Sequence, residues 1–128
     1  MDAPASDTRA AVTAAAEAYA LALHGSDTGA LARLFHEAAH LYAVDGDGRL
    51  VDWPRAHFLE RVGAREPGAG APVFEIEAVD AAGPEMAHVR LTVRVPPRLY
   101  RDYLDFLRID GEWRVIAKVF RVEEGPAL

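Results

Sequence analysis

The segment Arg101–Arg121 constrains this chain more than any other. It reads Arg-Asp-Tyr-Leu-Asp-Phe-Leu-Arg-Ile-Asp-Gly-Glu-Trp-Arg-Val-Ile-Ala-Lys-Val-Phe-Arg. Two runs rich in Val, Ile, Leu and aromatic residues flank Asp110-Gly111, a dipeptide suited to the two positive-φ positions of a type I′ turn. A long hairpin that closes a chain with a largely helical start fixes the fold class as α+β.

The rest of the chain divides around that hairpin. Ser6, Asp7 and Thr8 offer N-caps for a first helix. Its apolar stripe runs Val12, Ala16, Tyr19, Leu23, and Gly25 stands at the C′ position. Ser26 or Asp27 caps a short second helix bearing Leu31, Leu34 and Phe35. Ala39–Val44 and Arg49–Trp53 read as short strands around Asp45-Gly46-Asp47-Gly48. Pro54 suits the first position of a third helix, which buries Phe58, Leu59 and Val62 and ends near Arg65. After the Gly/Pro-rich loop 66–72, four strands follow: Val73–Ala81, Met86–Pro96, Tyr100–Asp110 and Glu112–Val122. Gly83-Pro84 and Pro96-Pro97 punctuate them, because proline cannot donate to a central ladder. The expected architecture is helices laid across one face of a curved antiparallel sheet, in a single domain spanning 1–128.

Composition excludes several function classes. A net charge of −6 with one lysine, Lys118, and scattered arginines gives no clustered cations for nucleic-acid phosphates. No apolar run approaches the ~20 residues needed to cross a bilayer, and Met1-Asp2-Ala3-Pro4 lacks the pattern of a signal peptide. The chain contains no Cys, which removes disulfides and thiol nucleophiles and suits a cytoplasmic protein.

Tyr19 to Asp27 leading into Leu31-Ala32-Arg33-Leu34-Phe35-His36, together with Asp102-Tyr103-Leu104 through Asp110-Gly111-Glu112-Trp113-Arg114-Val115 to Lys118-Val119-Phe120, resembles the nuclear transport factor 2-like superfamily. The likeness is to its small bacterial, lumazine-binding-like branch (the SnoaL-like and ketosteroid isomerase-like proteins) and covers nearly the whole chain. It implies a cone whose sheet wraps three N-terminal helices, a pocket for a small organic ligand at the wide end, and a homodimer formed through the outer sheet face. Members include isomerases, dehydratases, cyclases and non-catalytic binding modules, so the fold leaves the chemistry open. The resemblance implies no cofactor.

Tyr19, by its spacing to Asp27, matches the oxyanion tyrosine of ketosteroid isomerases. The partner base does not carry over, because its position falls near Ala43, with Asp45 the nearest acid. A bland alternative is a core tyrosine with its hydroxyl satisfied. His40 has a side chain suited to proton transfer near neutral pH. Tyr19, His40 and Asp45 are therefore the catalytic candidates, for a cofactor-free lyase or isomerase acting on a cyclic or polyketide-like substrate. Lys118, flanked by Val115-Ile116-Ala117 and Val119-Phe120, is costly to bury unpaired. It either reaches the sheet rim, pairs with Asp102, Asp105 or Glu75, or faces the cavity as an anion-binding or imine-forming amine. Tyr42, Trp53, Phe58, Tyr103, Phe106 and Phe120, with His40, form an aromatic set around the expected pocket, although period 2 turns about half of the strand members outward. Asp45 and Asp47 between glycines read as a turn, not a calcium loop.

His36-Glu37-Ala38-Ala39-His40 matches the H-E-x-x-H zinc-peptidase pattern, with Glu60 downstream as a third ligand. That chemistry needs a helix, on which residues i and i+4 stand about 5–6 Å apart. On a strand they stand ~13 Å apart at ~3.3 Å per residue. The second helix is expected to end near Phe35, so no metal site is assigned.

Overall fold

The computed structural model describes residues 5–128. Met1–Pro4, read above for a leader, and the side chain of Ser6 lie outside the described residues. The element order is α1 (Ala5–His24), α2 (Thr28–Leu34), β1 (Phe35–Val44), β2 (Leu50–Pro54), α3 (Arg55–Gly63), β3 (Phe74–Ala82), β4 (Met86–Val95), β5 (Arg98–Ile109) and β6 (Glu112–Glu124). The six strands form one curved, open sheet in the order β2-β1-β6-β5-β4-β3.

The stripe Val12, Ala16, Tyr19, Leu23 is buried, so α1 lies with its apolar face against β3, β4 and β6. The opposing strands supply Ala87, Val89, Leu91 and Val93 from β4, and Leu104 and Phe106 from β5. Their alternation with more exposed neighbours is what lets one sheet face bury and the other meet water. Helix α3 sits on β1 and β2, and α2 joins the two halves.

The turn chemistry is largely as expected. Asp110 and Gly111 both have positive φ, 52° and 80°, as a type I′ turn demands. Asp27 caps α2 by accepting from the Ala30 N–H at 3.0 Å. Replacing it with alanine should cost about 1 kcal/mol, read as a lower urea midpoint.

Three local expectations shift. Helix α1 already runs at Ala5, so Asp7 and Thr8 lie inside it rather than before it. The left-handed residue after α1 is Ser26 (φ 51°), not Gly25, because the chain needs that turn one step later to bring Asp27 N–H to the Ala22 carbonyl at 2.9 Å. Pro54 stands at the N-cap of α3 rather than at its first helical position, with an extended ψ of 159°. One strand pair also departs from the antiparallel pattern: β1 runs parallel to β6, Leu41 beside Lys118. Hairpin turns dictate antiparallel neighbours, but β1 and β6 are joined by no turn, and their relative direction follows from how the two halves pack.

Candidate functional site

A buried polar cluster lies between α1 and the sheet. The Tyr19 hydroxyl donates to Asp102 Oδ2 at 2.5 Å, and Lys118 Nζ donates to Tyr19 Oη at 2.7 Å. Lys118 Nζ also stands 3.5 Å from Asp102 Oδ2. Tyr19 and Asp102 are 0% exposed and Lys118 is 5% exposed. Asp102 Oδ1 is buried and has no hydrogen-bond partner among the described residues.

The backbone places this cluster through a β-bulge. From the turn outward, Ile109 pairs with Glu112 and Phe106 with Val115; beyond the shift, Asp105 pairs with Ala117 and Asp102 with Phe120. Ile116 is the extra residue on β6. In an unbulged hairpin Lys118 would stand opposite Tyr103, on the face away from Asp102. The bulge turns the second half of β6 over, so that Lys118 and Phe120 join Asp102, Leu104 and Phe106 on the inner face. Lys118 then lies diagonal to Asp102, within reach of a long side chain.

Burial pushes the Tyr19 hydroxyl well above its ordinary pKa, and the adjacent Asp102 charge pushes it further. Burial pulls the Lys118 ammonium down, while Asp102 pulls it back up. Tyr19 is therefore a lasting hydrogen-bond donor, and Lys118 is a cation that gives up a proton more readily than a surface lysine. The sign for stability follows. A raised folded-state pKa contributes stability below about pH 10 that is lost as pH climbs through the folded value. Wild-type stability should thus fall on the alkaline side above about pH 10, and Tyr19→Phe should flatten that fall, as read by denaturant titration at several pH values. Lys118, shifted the other way, acts over a lower pH range, where rising pH relieves the cost of its buried charge.

Lys118 also lines a cavity of about 280 Å³. Its walls are Trp53, Phe58, Tyr100 and Phe120, backed by Leu23 and Val62. Ring centroids lie 5.6 Å apart for Trp53–Phe120 and 6.0 Å for Tyr100–Phe120. The Lys118 ammonium stands 4.6 Å from the Phe120 ring centroid and 5.0 Å from that of Phe58. These faces stabilise a cation that is largely withdrawn from water. Arg61, Arg65 and Arg98 complete the lining, which contains no carboxylate and no histidine among the described residues. The arrangement can hold a flat, largely apolar molecule and present one ammonium donor, itself held by a tyrosine hydroxyl, to an oxygen of that molecule.

Of the residues singled out in the sequence, the structure gathers Lys118, Trp53, Phe58 and Phe120 on this cavity, with Tyr19 behind Lys118. The others stand elsewhere. His40 and Tyr42 alternate with buried Leu41 and Ala43 on β1, so they face the outer side of the sheet. There the His40 imidazole meets Asp52 Oδ1 at 2.6 Å, half-exposed, and stacks on Tyr42. Tyr103 is likewise on the outer face, edge-on to His88, which meets Asp105 at 2.6 Å. Phe106 is a core residue. Asp45 accepts from the N–H groups of Asp47 and Arg49, both at 2.9 Å, as a turn residue does. Residues 36–40 lie on β1 rather than on a helix, and His36 Nδ1 accepts from the Ala38 N–H at 3.0 Å. Sequence reasoning does not name Asp102, Arg65 or Tyr100 as site residues. Asp102 alternates in phase with Leu104 and Phe106, and a charge in phase with a core stripe is the available signal.

The family described as "Putative lumazine-binding" matches residues 7–121. Among solved structures, the chain is similar to a nuclear transport factor 2-like protein of unknown function from Silicibacter pomeroyi, at 26% identity and a TM-score of 0.87, covering 94% of this chain and 100% of that one. It is similar in fold to a nuclear transport factor 2-like protein of unknown function from Shewanella baltica, with 17% identity, a TM-score of 0.89, and 97% and 100% coverage. A ketosteroid isomerase-like protein from Erwinia carotovora shares the fold at 17% identity, with a TM-score of 0.72 and 91% and 97% coverage. No curated protein matches the chain in sequence.

Proposed function

This chain belongs to the "Putative lumazine-binding" family of the nuclear transport factor 2-like superfamily, and from that premise we propose that it binds a small cyclic organic molecule in the cavity, with a carbonyl or enolate oxygen of the ligand held by Lys118. The observation that carries this reading is a buried ammonium that both lines an apolar, aromatic-walled cavity and is anchored from behind by the Tyr19 hydroxyl. A buried charge of this kind is costly to keep, since apolar side chains of similar volume would fill the same space without the desolvation penalty. Its presence on the cavity wall fits a ligand-directed role. No cofactor is needed for that role.

A calorimetric titration with 2-naphthamide, a flat neutral carbonyl compound, tests it. The wild type should bind, and a double variant Asp102→Leu, Lys118→Met should bind at least about tenfold more weakly, the usual size of a lost charged hydrogen bond. Equal affinity in the two proteins would remove Lys118 from the binding role.

Catalysis of the isomerase or dehydratase type is a second reading, favoured by the lowered proton affinity of Lys118 beside the Tyr19 donor. In it, Lys118 stabilises a developing enolate, Tyr19 positions the ammonium from behind, and the outward-facing His40 and the turn residue Asp45 take no part. Turnover of a cyclic ketone that vanishes in Tyr19→Phe while binding persists would support it. The outer sheet face, with Val44, Tyr103 and Val119 exposed, is proposed as a homodimer surface. Light scattering should then give twice the chain mass of 13.9 kDa. Among the described residues no helix is long and apolar enough to cross a membrane.

A further inference from the structure

The cavity's cations are not equivalent. Lys118 is engaged with Tyr19 and Asp102. Arg98 donates to the carbonyls of Pro126 and Ala127, at 2.8 and 2.9 Å, and to the Tyr100 hydroxyl at 3.2 Å. Arg61 is exposed, with its guanidinium 4.4 Å from the Trp53 ring centroid. Arg65 lines the same cavity half-buried, and its guanidinium has no hydrogen-bond or ion-pair partner among the described residues. In a chain of net charge −6, a cavity lined by four cations and, among the described residues, no carboxylate favours one sign of charge.

We infer that the ligand is a carboxylate: its planar body lies between Trp53, Phe58, Tyr100 and Phe120, and its carboxylate is clamped by the unpartnered guanidinium of Arg65. This inference rests on the cavity's being the ligand site and adds the charge and the residue that reads it. A guanidinium offers a planar fork of donors that matches a carboxylate in two parallel hydrogen bonds, which an ammonium cannot do. Its present state is the unfavourable one, partly desolvated without compensation, and burial lowers the Arg65 pKa accordingly. Lys118 and Arg65 line the same cavity of about 280 Å³, so the two can grip separate groups of one small molecule. With the donors already in place, the site loses little freedom on binding.

Calorimetry with 2-naphthoate and 2-naphthamide, which share shape and differ in charge, tests the inference. Wild-type protein should prefer naphthoate at least about tenfold. Arg65→Gln should abolish that preference and leave naphthamide binding within about twofold, and Arg65→Lys should restore only part of it. Naphthamide binding also reports that each variant is folded. A wild type that binds both compounds equally, or an Arg65→Gln variant that keeps the preference, would overturn the inference while leaving the cavity as the ligand site. Binding of neither compound by wild type would overturn the cavity reading and this inference together.

Discussion

Asp102→Ala is expected to lower stability by about 3–5 kcal/mol, because it leaves the largely buried Lys118 charge without its counter-charge. The Tyr19 hydroxyl would lose its acceptor in the same step, so a buried donor would go unsatisfied as well. The paired change Asp102→Leu, Lys118→Met should cost less, about 1–3 kcal/mol, since no charge is left unpaired and only the buried Tyr19 hydroxyl goes without a partner. Urea unfolding of the two variants separates the alternatives. If the single and paired changes destabilised equally, Lys118 would not depend on Asp102, and the buried ion pair would be misdescribed. A paired variant that is stable but no longer binds would show that the cluster serves the ligand rather than the fold.

Phe35→Ala should cost about 3–5 kcal/mol by leaving a cavity that the surroundings cannot close. Phe35 is 0% exposed and sits where α2 ends and β1 begins, its N–H bonded to the Leu31 carbonyl. Its ring lies 5.9 Å from that of Tyr19 and 5.1 Å from that of Phe58. It therefore separates the tyrosine that anchors Lys118 from the aromatic wall of the ligand site, and holds both. Thermal unfolding measures the loss, and Phe35→Leu should recover most of it because volume is largely kept. A variant with wild-type stability would mean that the core collapses around the gap, contrary to the close packing described.

Much of this fold is legible in the residues. The Asp110-Gly111 turn, the stripe on α1 and the Asp27 cap are local signals, each complete within a few positions, and the structure carries all three. What local signals cannot fix is which face of a strand looks inward after a bulge. An ideal register from Asp110-Gly111 sets Lys118 opposite Tyr103, with Asp102 on the other face, whereas the shift at Ile116 brings Lys118 and Asp102 together. The same ambiguity leaves the aromatic set unsorted in sequence, where Tyr42 and Tyr103 stand alongside Trp53 and Phe120 although the sheet lies between them. Arg65 is legible only as the end of a helix, because its lack of a partner is a fact of three dimensions.

Lys118 is the chain's one lysine, so protein grown with ¹³C,¹⁵N-lysine gives a single side-chain signal that needs no assignment. Following that signal while adding 2-naphthamide tests the central claim most directly. The Lys118 resonance should titrate below the ordinary lysine value of about 10.4 in the free protein, and should move in step with calorimetric saturation. A Lys118 signal that titrates as a solvated amine, or that stays unmoved while the ligand saturates the protein, would contradict that claim.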